Sequence, residues 1–361
     1  MPDLKTRVAW AILVLMMLAS GQAPALLSQS KYRTDSDIKK TLLEKYRIQP
    51  EWQEMEIVRI FPGEEDLKSS HYLNYPSDLV RIGDNLFVGD YGLGQVLIFD
   101  KDGTYRGTFG RRGQGPGEFS RLGEIAGNEA SGIYVTDSGR IQHFSLDGSF
   151  LESFKFFDIV NDMVINGPHL LINAIYGQSK NKQNPLIIRC DLAGNIISTF
   201  GNRIDQDNHY STDSRAYLAA RGSETVAVFR HYPQIQIYDH LGVLKKQSQI
   251  SIPILTHLEK FNYDSSFTNP MPGVINLTRL VAGVQIARDK IFILLHLPRI
   301  EIHEIDESGK VQKVYYSQRL NNIVDYRGFA LRPDGPDYFA YIVTVSEEEI
   351  SLYTFKIKQT R

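Results

Sequence analysis

Beyond about residue 54 the chain is written in short apolar runs of four to eight residues, alternating or fully apolar, each broken by Gly, Asn or Asp. That pattern predicts strands, because a helix would repeat its apolar positions every three or four residues over a longer stretch. The clearest punctuation is a glycine turn after a β-rich run: Asp102-Gly103, Asp147-Gly148, Ala193-Gly194, Leu241-Gly242 and Ser308-Gly309. Successive glycines are 45, 46, 48 and 67 residues apart, so a near-constant period is interrupted once, by an insertion. One strand precedes each turn (QVLIFD, RIQHFS, PLIIRCD, QIQIYD, RIEIHEID) and another follows it (TYRGTFG, SFLESFKF, NIISTFG, VLKKQS, KVQKVYYS). Glycine supplies the positive φ that such tight antiparallel hairpins need.

Two further strands open each set, as in DLVRI with NLFVGD and VAGVQI with KIFILLH, which gives five units of four strands. A sixth set, RGFALR, YFAYIVTV and EEISLYTFKI, has only three, and the missing partner is EMEIVRIF at residues 54–61. The pattern therefore predicts an all-β fold, a six-bladed β-propeller with the outer strand of the last blade supplied by the N-terminus. Such a ring leaves no open blade edge. The propeller spans 54–357, with an insertion at 254–280. That is about 51 residues per blade, near the ~40 to 50 of other propeller repeats. A β-sandwich or two small barrels would explain neither the period nor the three-plus-one split.

The first 25 residues follow another rule. Lys5 and Arg7 precede an apolar run from Val8 to Ala19, then come Ser20, Gly21 and Ala23-Pro24-Ala25, the layout of a signal peptide. The competing reading is an uncleaved membrane anchor, which Gly21, Gln22 and Pro24 disfavour. Residues 26–53 read as a polar linker with a short helix, capped by Ser36 or Asp37, with Ile38, Leu42 and Tyr46 on one face. The protein is expected outside the cytoplasm, periplasmic or extracellular. The single cysteine, Cys190, lies in the apolar run PLIIRC and is expected to be core packing.

Charge narrows the partners. Forty Lys and Arg face 42 Asp and Glu, with no run of five like charges, so no nucleic-acid partner is expected, and a membrane only through the N-terminal segment if it is uncleaved. A protein, peptide or glycan partner remains, and the chain is expected to be a monomer. There is no GxSxG elbow, phosphate loop or cysteine cluster to carry hydrolase, nucleotide or iron–sulfur chemistry.

Residues 109–119, FGRRGQGPGEF, followed by IAGNEASGIYVTDSGRIQHFSLDG, resemble the NHL repeat: a glycine-rich loop with GPGEF, an inner strand, an "iyVaD" strand and a third strand ending in DG. The match is strong across 85–150, eroded through 159–250, and a matter of strand order beyond 281. The family's proline before the inner strand is kept at Pro76 and replaced around Leu122-Gly123, and its asparagine-histidine-arginine turn is shortened to Ser138-Gly139-Arg140. Secreted bacterial six-bladed propellers of unknown function are similar over nearly the whole exported part. The resemblance implies the fold; one fold hosts many activities. It also implies that Asp90 and Asp137, ending the strands VGD and VTD, tie neighbouring loops by hydrogen bonds.

Strand order puts the loops between blades and those between second and third strands on one face, called upper here. The unusual segments fall there: Arg111 and Arg112 with GQGPGEF, YGQSKNKQNP from Tyr176, DQDNHYSTDS at 205–214 and the insertion. Gathered on a rigid scaffold, they make a candidate ligand or partner face, or else tolerated surface insertions. Its candidate residues are Arg111, Arg112, Tyr176, Arg230, His231, His257, Phe261, Tyr263 and His296. At the starts of inner strands Asp78, Glu124 and Asp162, with Asn161 and Arg327 beside them, approach the axis. Three carboxylates there would suit calcium, or else are solvated channel lining. Asn161-Asp162 is similar to the metal-binding segment of gluconolactonase-type propellers. Peptide-amidating lyase propellers, which bind zinc through histidines, direct attention to His209, His231, His257 and His296. The expected function is a non-catalytic binding or scaffold propeller needing no cofactor. The alternative is a divalent-metal-dependent lactonase-like or lyase-like enzyme with its site at the channel.

Overall fold

In the computed structural model, which describes residues 35–175, 185–204, 214–268 and 278–359, six antiparallel sheets stand around one axis. From the axis outward, blade 1 is Pro76–Ile82, Asn85–Asp90, Gln95–Asp100 and Tyr105–Phe109. Blade 2 is Leu122–Asn128, Gly132–Asp137, Arg140–Phe144 and Phe150–Lys155. Blade 3 is Ile159–Asn166, His169–Ile175, Ile187–Asp191 and Ile196–Phe200. Blade 4 is Ala216–Arg221, Glu224–Phe229, Gln234–Tyr238 and Leu244–Gln249. Blade 5 is Val281–Ala287, Lys290–Leu295, Glu301–Ile305 and Val311–Tyr316. Blade 6 is Ile323–Asp334, Asp337–Ser346 and Ile350–Ile357, finished by Glu56–Phe61. Each inner strand contacts the next around the ring, and the sixth contacts the first.

A blade inside a ring has neighbours on both faces, so its middle strands are buried on both. This is why they read as unbroken apolar runs: Ile291 to Leu295 are all at most 1% exposed. Six apolar clusters fill the six wedges between adjacent blades. Cys190 is wholly buried in the wedge between blades 2 and 3.

The hairpin turns hold more information than their glycines. Each glycine adopts a left-handed φ, from +78° at Gly309 to +88° at Gly194. Its N–H donates to the residue three positions earlier, at Asp100, Ser145, Asp191, Asp239 and Asp306. Those aspartates cap the same turns: Asp239 Oδ1 accepts from Leu241 N and Val243 N, both at 2.9 Å.

The ring closes as the sequence predicts. Glu56–Phe61 pairs antiparallel with Ile350–Ile357, setting Ile57 opposite Phe355 and Phe61 opposite Leu352. Phe61 is fully buried, its ring 4.7 Å from Phe99 of blade 1, so the closing strand also seals the wedge between the last blade and the first.

Residues just before that strand depart from the expected spacer. Helix α1 spans Asp35–Lys45 and includes Ser36 and Asp37. Ile38, Leu42 and Tyr46 pack on the wedge between blades 4 and 5. The chain then lays Trp52 against His303, with ring centroids 6.0 Å apart, and pairs Gln53–Glu54 parallel to Val311–Tyr316 as a fifth strand of blade 5. The segment is a clasp across two blades. After the closing strand, a short helix α2 (Glu64–Lys68) leads to blade 1. The insertion, read as an irregular loop, opens as helix α3 (Pro253–Thr268), with Ile254, Leu255 and Leu258 buried in the same wedge as α1. Spacing of three and four between these apolar positions is the reason. Residues 1–25, Tyr176, His209 and the rest of the insertion up to residue 277 lie outside the described residues.

Replacing Phe61 by alanine should lower unfolding stability by about 3–5 kcal/mol, as for other buried phenylalanines. Val58→Ala, on the same strand but 47% exposed, should change it by less than about 0.5 kcal/mol. Urea denaturation of the two variants checks this; equal effects would mean that closure does not depend on the wedge.

Candidate functional site

The upper end of the channel is built from local irregularities in the inner strands. Five of the six carry a register shift at the same level, among them Pro76/Asp78, Val160/Asp162 and Ile323/Asp325. Such bulges bend a strand and re-aim its side chains. They help bring Asp78, Glu124 and Asp162, from blades 1, 2 and 3, into a single cavity of about 420 Å³. The same cavity is lined by Tyr217 and Arg230 of blade 4, Arg279 before blade 5, and Arg327 of blade 6. Arg81 lines the same cavity and donates to the Leu331 carbonyl at 2.9 Å.

The carboxyls brace the ring as well as line it. Asp78 accepts from Leu79 N at 2.7 Å and, across the blade boundary, from Ile125 N at 2.8 Å. Asp162 accepts from Leu218 N of blade 4. Asp78 and Glu124 are hydrogen-bonded to each other. Burial pushes Asp78 up to about 6 against its backbone donors. It pushes Glu124 well above the usual carboxylate range, helped by the nearby charges of Asp78 and Asp162 and opposed by Arg230. Asp162 is raised by burial and by Asp78. Like charges in a desolvated channel hold on to protons. With oxygens of Asp78 and Asp162 already committed to main-chain N–H groups, the trio is far from the six to eight oxygens calcium takes. Among the described residues no three His, Cys, Asp or Glu side chains are grouped to hold a metal ion.

The arginine wall has its own carboxylate. Asp325 receives Arg279 at 2.8 Å and Arg327 at 2.9 Å, and His296 Nε2 lies 3.0 Å away. His296 Nδ1 is 2.8 Å from Lys39 Nζ, and both residues are buried. An ammonium only donates, so Nδ1 accepts and Nε2 carries the proton that goes to Asp325. Burial first, then the charge of Lys39, takes His296 down to about 4 in spite of Asp325. Burial favours a protonated Asp325, but His296, Arg279 and Arg327 outweigh it and hold that carboxyl well below the usual range. Helix α1 is thus wired to the channel mouth. Arg230 stands apart: its ring neighbour is Tyr217 at 5.7 Å, its Nη1 donates to Asn161 Oδ1 at 3.5 Å, and among the described residues it has no ion pair.

The remaining candidates scatter. Arg111 is exposed and paired with Glu118 at 2.7 Å, while Arg112 donates to the carbonyls of Tyr91 and Gly92 at 3.0 and 2.8 Å. Both organise the loop between blades 1 and 2. His231 is 2% exposed, with Nδ1 3.2 Å from the Thr278 carbonyl. His257 is exposed, its Nδ1 2.6 Å from the Tyr46 hydroxyl. Phe261 and Tyr263 fall on α3, where their side chains lie outside the described residues. Asp90 accepts from the N–H groups of Asn74, Tyr75 and Leu93, and Asp137 from those of Ser120 and Arg121, the loop ties expected of them. Sequence reasoning missed Lys39, Tyr217, Arg279 and Asp325. Only Asp325 carried a signal, as an acidic residue at an inner-strand start like Asp78 and Asp162.

Comparison with known proteins agrees with this architecture. Residues 72–238 match the model of a family described as a domain of unknown function, DUF4934. The fold is similar to a Bacteroides fragilis protein provisionally described as exported, at 14% identity over 84% of this chain and 95% of that one, with a TM-score of 0.55. It is also similar to a member of the DUF4221 family from Bacteroides vulgatus, at 12% identity over 86% and 100%, with a TM-score of 0.54. At such identities the likeness speaks for the fold alone.

A carboxyl whose folded-state affinity for protons is raised stabilises the fold at low pH and loses that contribution as pH rises. For Asp78 the contribution is complete below the ordinary value of 3.8 and fades as pH climbs through about 6. Asp325 and His296 run the other way, so the wild-type profile alone mixes the signs. The stability difference, wild type minus Asp78→Asn, should therefore fall by roughly 1–3 kcal/mol between about pH 4 and pH 8. Chemical denaturation at a series of pH values measures it, and a rising difference would refute the assignment.

Proposed function

We propose that this chain is a non-catalytic binding propeller that works outside the cytoplasm and receives a charged small ligand, or the charged end of a partner, in the upper part of its channel. The observation that carries the reading is one cavity of about 420 Å³ lined by three carboxyls together with the guanidinium groups of Arg81, Arg230, Arg279 and Arg327. Its size is that of a small-molecule site, and convergent polar groups in a preformed concavity are what such sites present. Asp78, Asp162, Arg279 and Arg327 are held by the ring's own hydrogen bonds and ion pairs, so binding need not order them first.

Export is supported by the charged-then-apolar N-terminal segment and by the description of the Bacteroides fragilis relative. Among the described residues no helix is long and apolar enough to cross a membrane. The NHL-like pattern of blades 1 and 2 accords with a binding role.

The test is thermal melting of the purified protein against a panel of cationic, anionic, zwitterionic and neutral small molecules, with and without chelator, followed by mass spectrometry of the hits. A ligand at about 100 times its Kd should add roughly 2.7 kcal/mol, a shift of a few degrees, and should be recovered unchanged. Conversion of the ligand to a product, or stabilisation lost with the chelator, would overturn the non-catalytic reading in favour of the metal-dependent alternative.

A further inference from the structure

We infer that the arginine wall of the channel is a carboxylate site, with Arg230 as its principal contact, and that the ligand is a small monocarboxylate bearing hydroxyl or ammonium donors. This deepens the channel reading above and rests on it.

The argument begins with how the three guanidinium groups differ. Arg279 and Arg327 are each within 3 Å of Asp325, so their charge is partly answered, and Asp325 is further held by His296. Arg230 faces the same cavity with no carboxylate in contact among the described residues, and its buried Nε has no hydrogen-bond partner there. A guanidinium offers five N–H donors in a planar fork, and the acceptor that fits it is a carboxylate or phosphate taken two-pronged. The cavity thus has one guanidinium without a carboxylate among the described residues, backed by two that share Asp325.

The carboxyls decide between those anions. Asp78, Glu124 and Asp162 line the same cavity as Arg230, whose charge acts on Glu124 and Asp162. A phosphate dianion would carry its second charge toward them. Arg81 is taken up by the carbonyls of Leu331 and Gly83, so a single carboxylate matches the fork of Arg230 and leaves the rest of the ligand to meet the acids. Acids seeking protons favour donors, hence hydroxyl or ammonium groups on that side. Raised proton affinity of all three carboxyls agrees, since it reduces the negative charge a monoanion meets. Tyr217, at 5.7 Å from the Arg230 guanidinium, sets the angle of the fork.

The two sources of this chemistry, a sugar acid and an amino acid, are separated by probes. Calorimetry would use D-glucuronate, glutamine, glucose and inorganic phosphate on the intact exported chain. Saturable binding by glucuronate or glutamine is expected, at least tenfold weaker in Arg230→Met and only partly recovered in Arg230→Lys, which keeps the charge but not the fork. The melting temperature of Arg230→Met without ligand should match the wild type, which separates a lost contact from a lost fold. Binding of phosphate in preference to both carboxylates would overturn the inference, as would carboxylate binding indifferent to Arg230→Met. Glucose binding weakened by Glu124→Gln, with no carboxylate bound, would also overturn it while leaving the channel reading in place. If none of the four probes binds and the wider charged panel fails too, both readings fall.

Discussion

Pairing of Glu56–Phe61 with Ile350–Ile357 is the constraint on which the rest of this protein depends. A blade alone cannot bury either of its faces; each apolar wedge needs two blades, and six wedges need a closed circle. Hydrogen bonds from the closing strand finish the edge of blade 6, and Phe61 fills the wedge it shares with blade 1. The clasp ahead of it, from α1 through Trp52 to the fifth strand of blade 5, fixes the direction from which that strand arrives.

Closure also creates the channel and dictates its character. Wedges are dry because side chains from two faces interlock, whereas the axis is a place where six strands approach without touching across it. Polar groups there are affordable only if the ring itself satisfies them. Asp78 and Asp162 accept from the inner strand of a neighbouring blade, Ser77 reaches the Gly123 carbonyl at 2.7 Å, and Asp325 gathers cations from two blades and, through His296, the lysine of α1. Structural bracing and ligand-facing chemistry therefore use the same side chains.

The propeller was legible in the sequence because its turns demand something few residues provide. Gly103, Gly148, Gly194, Gly242 and Gly309 sit at left-handed φ, and that necessity printed a period on the chain. The three-plus-one split was legible for a similar reason: an unpaired edge is costly, so its partner had to exist somewhere. Other features left no such trace. Gln53–Glu54 is too short to carry a strand pattern, and a lysine in a polar segment gives no hint that its ammonium is buried against His296. The carboxyls of the channel were visible as strand starts, yet their confrontation with Arg230 and Arg279 is a matter of three-dimensional angle. Arg230 precedes the segment from Ile254 to Leu280 and Arg279 lies at its end, and the helix of that segment was itself hidden within what read as a loop.

Closing a circle with a strand made before any of its blades has a consequence in time. The ribosome makes Phe61 long before Leu352, and at about 5–20 residues per second the wait is on the order of tens of seconds. Throughout that interval the nascent ring has a gap, one edge unpaired and one wedge open to water. The molecule is therefore a thread with partly formed blades until its last strand appears, and only then does it become a disc. A chain of this design stays easy to pull through a narrow pore while it is being made, and hard to unravel from either end once it is finished.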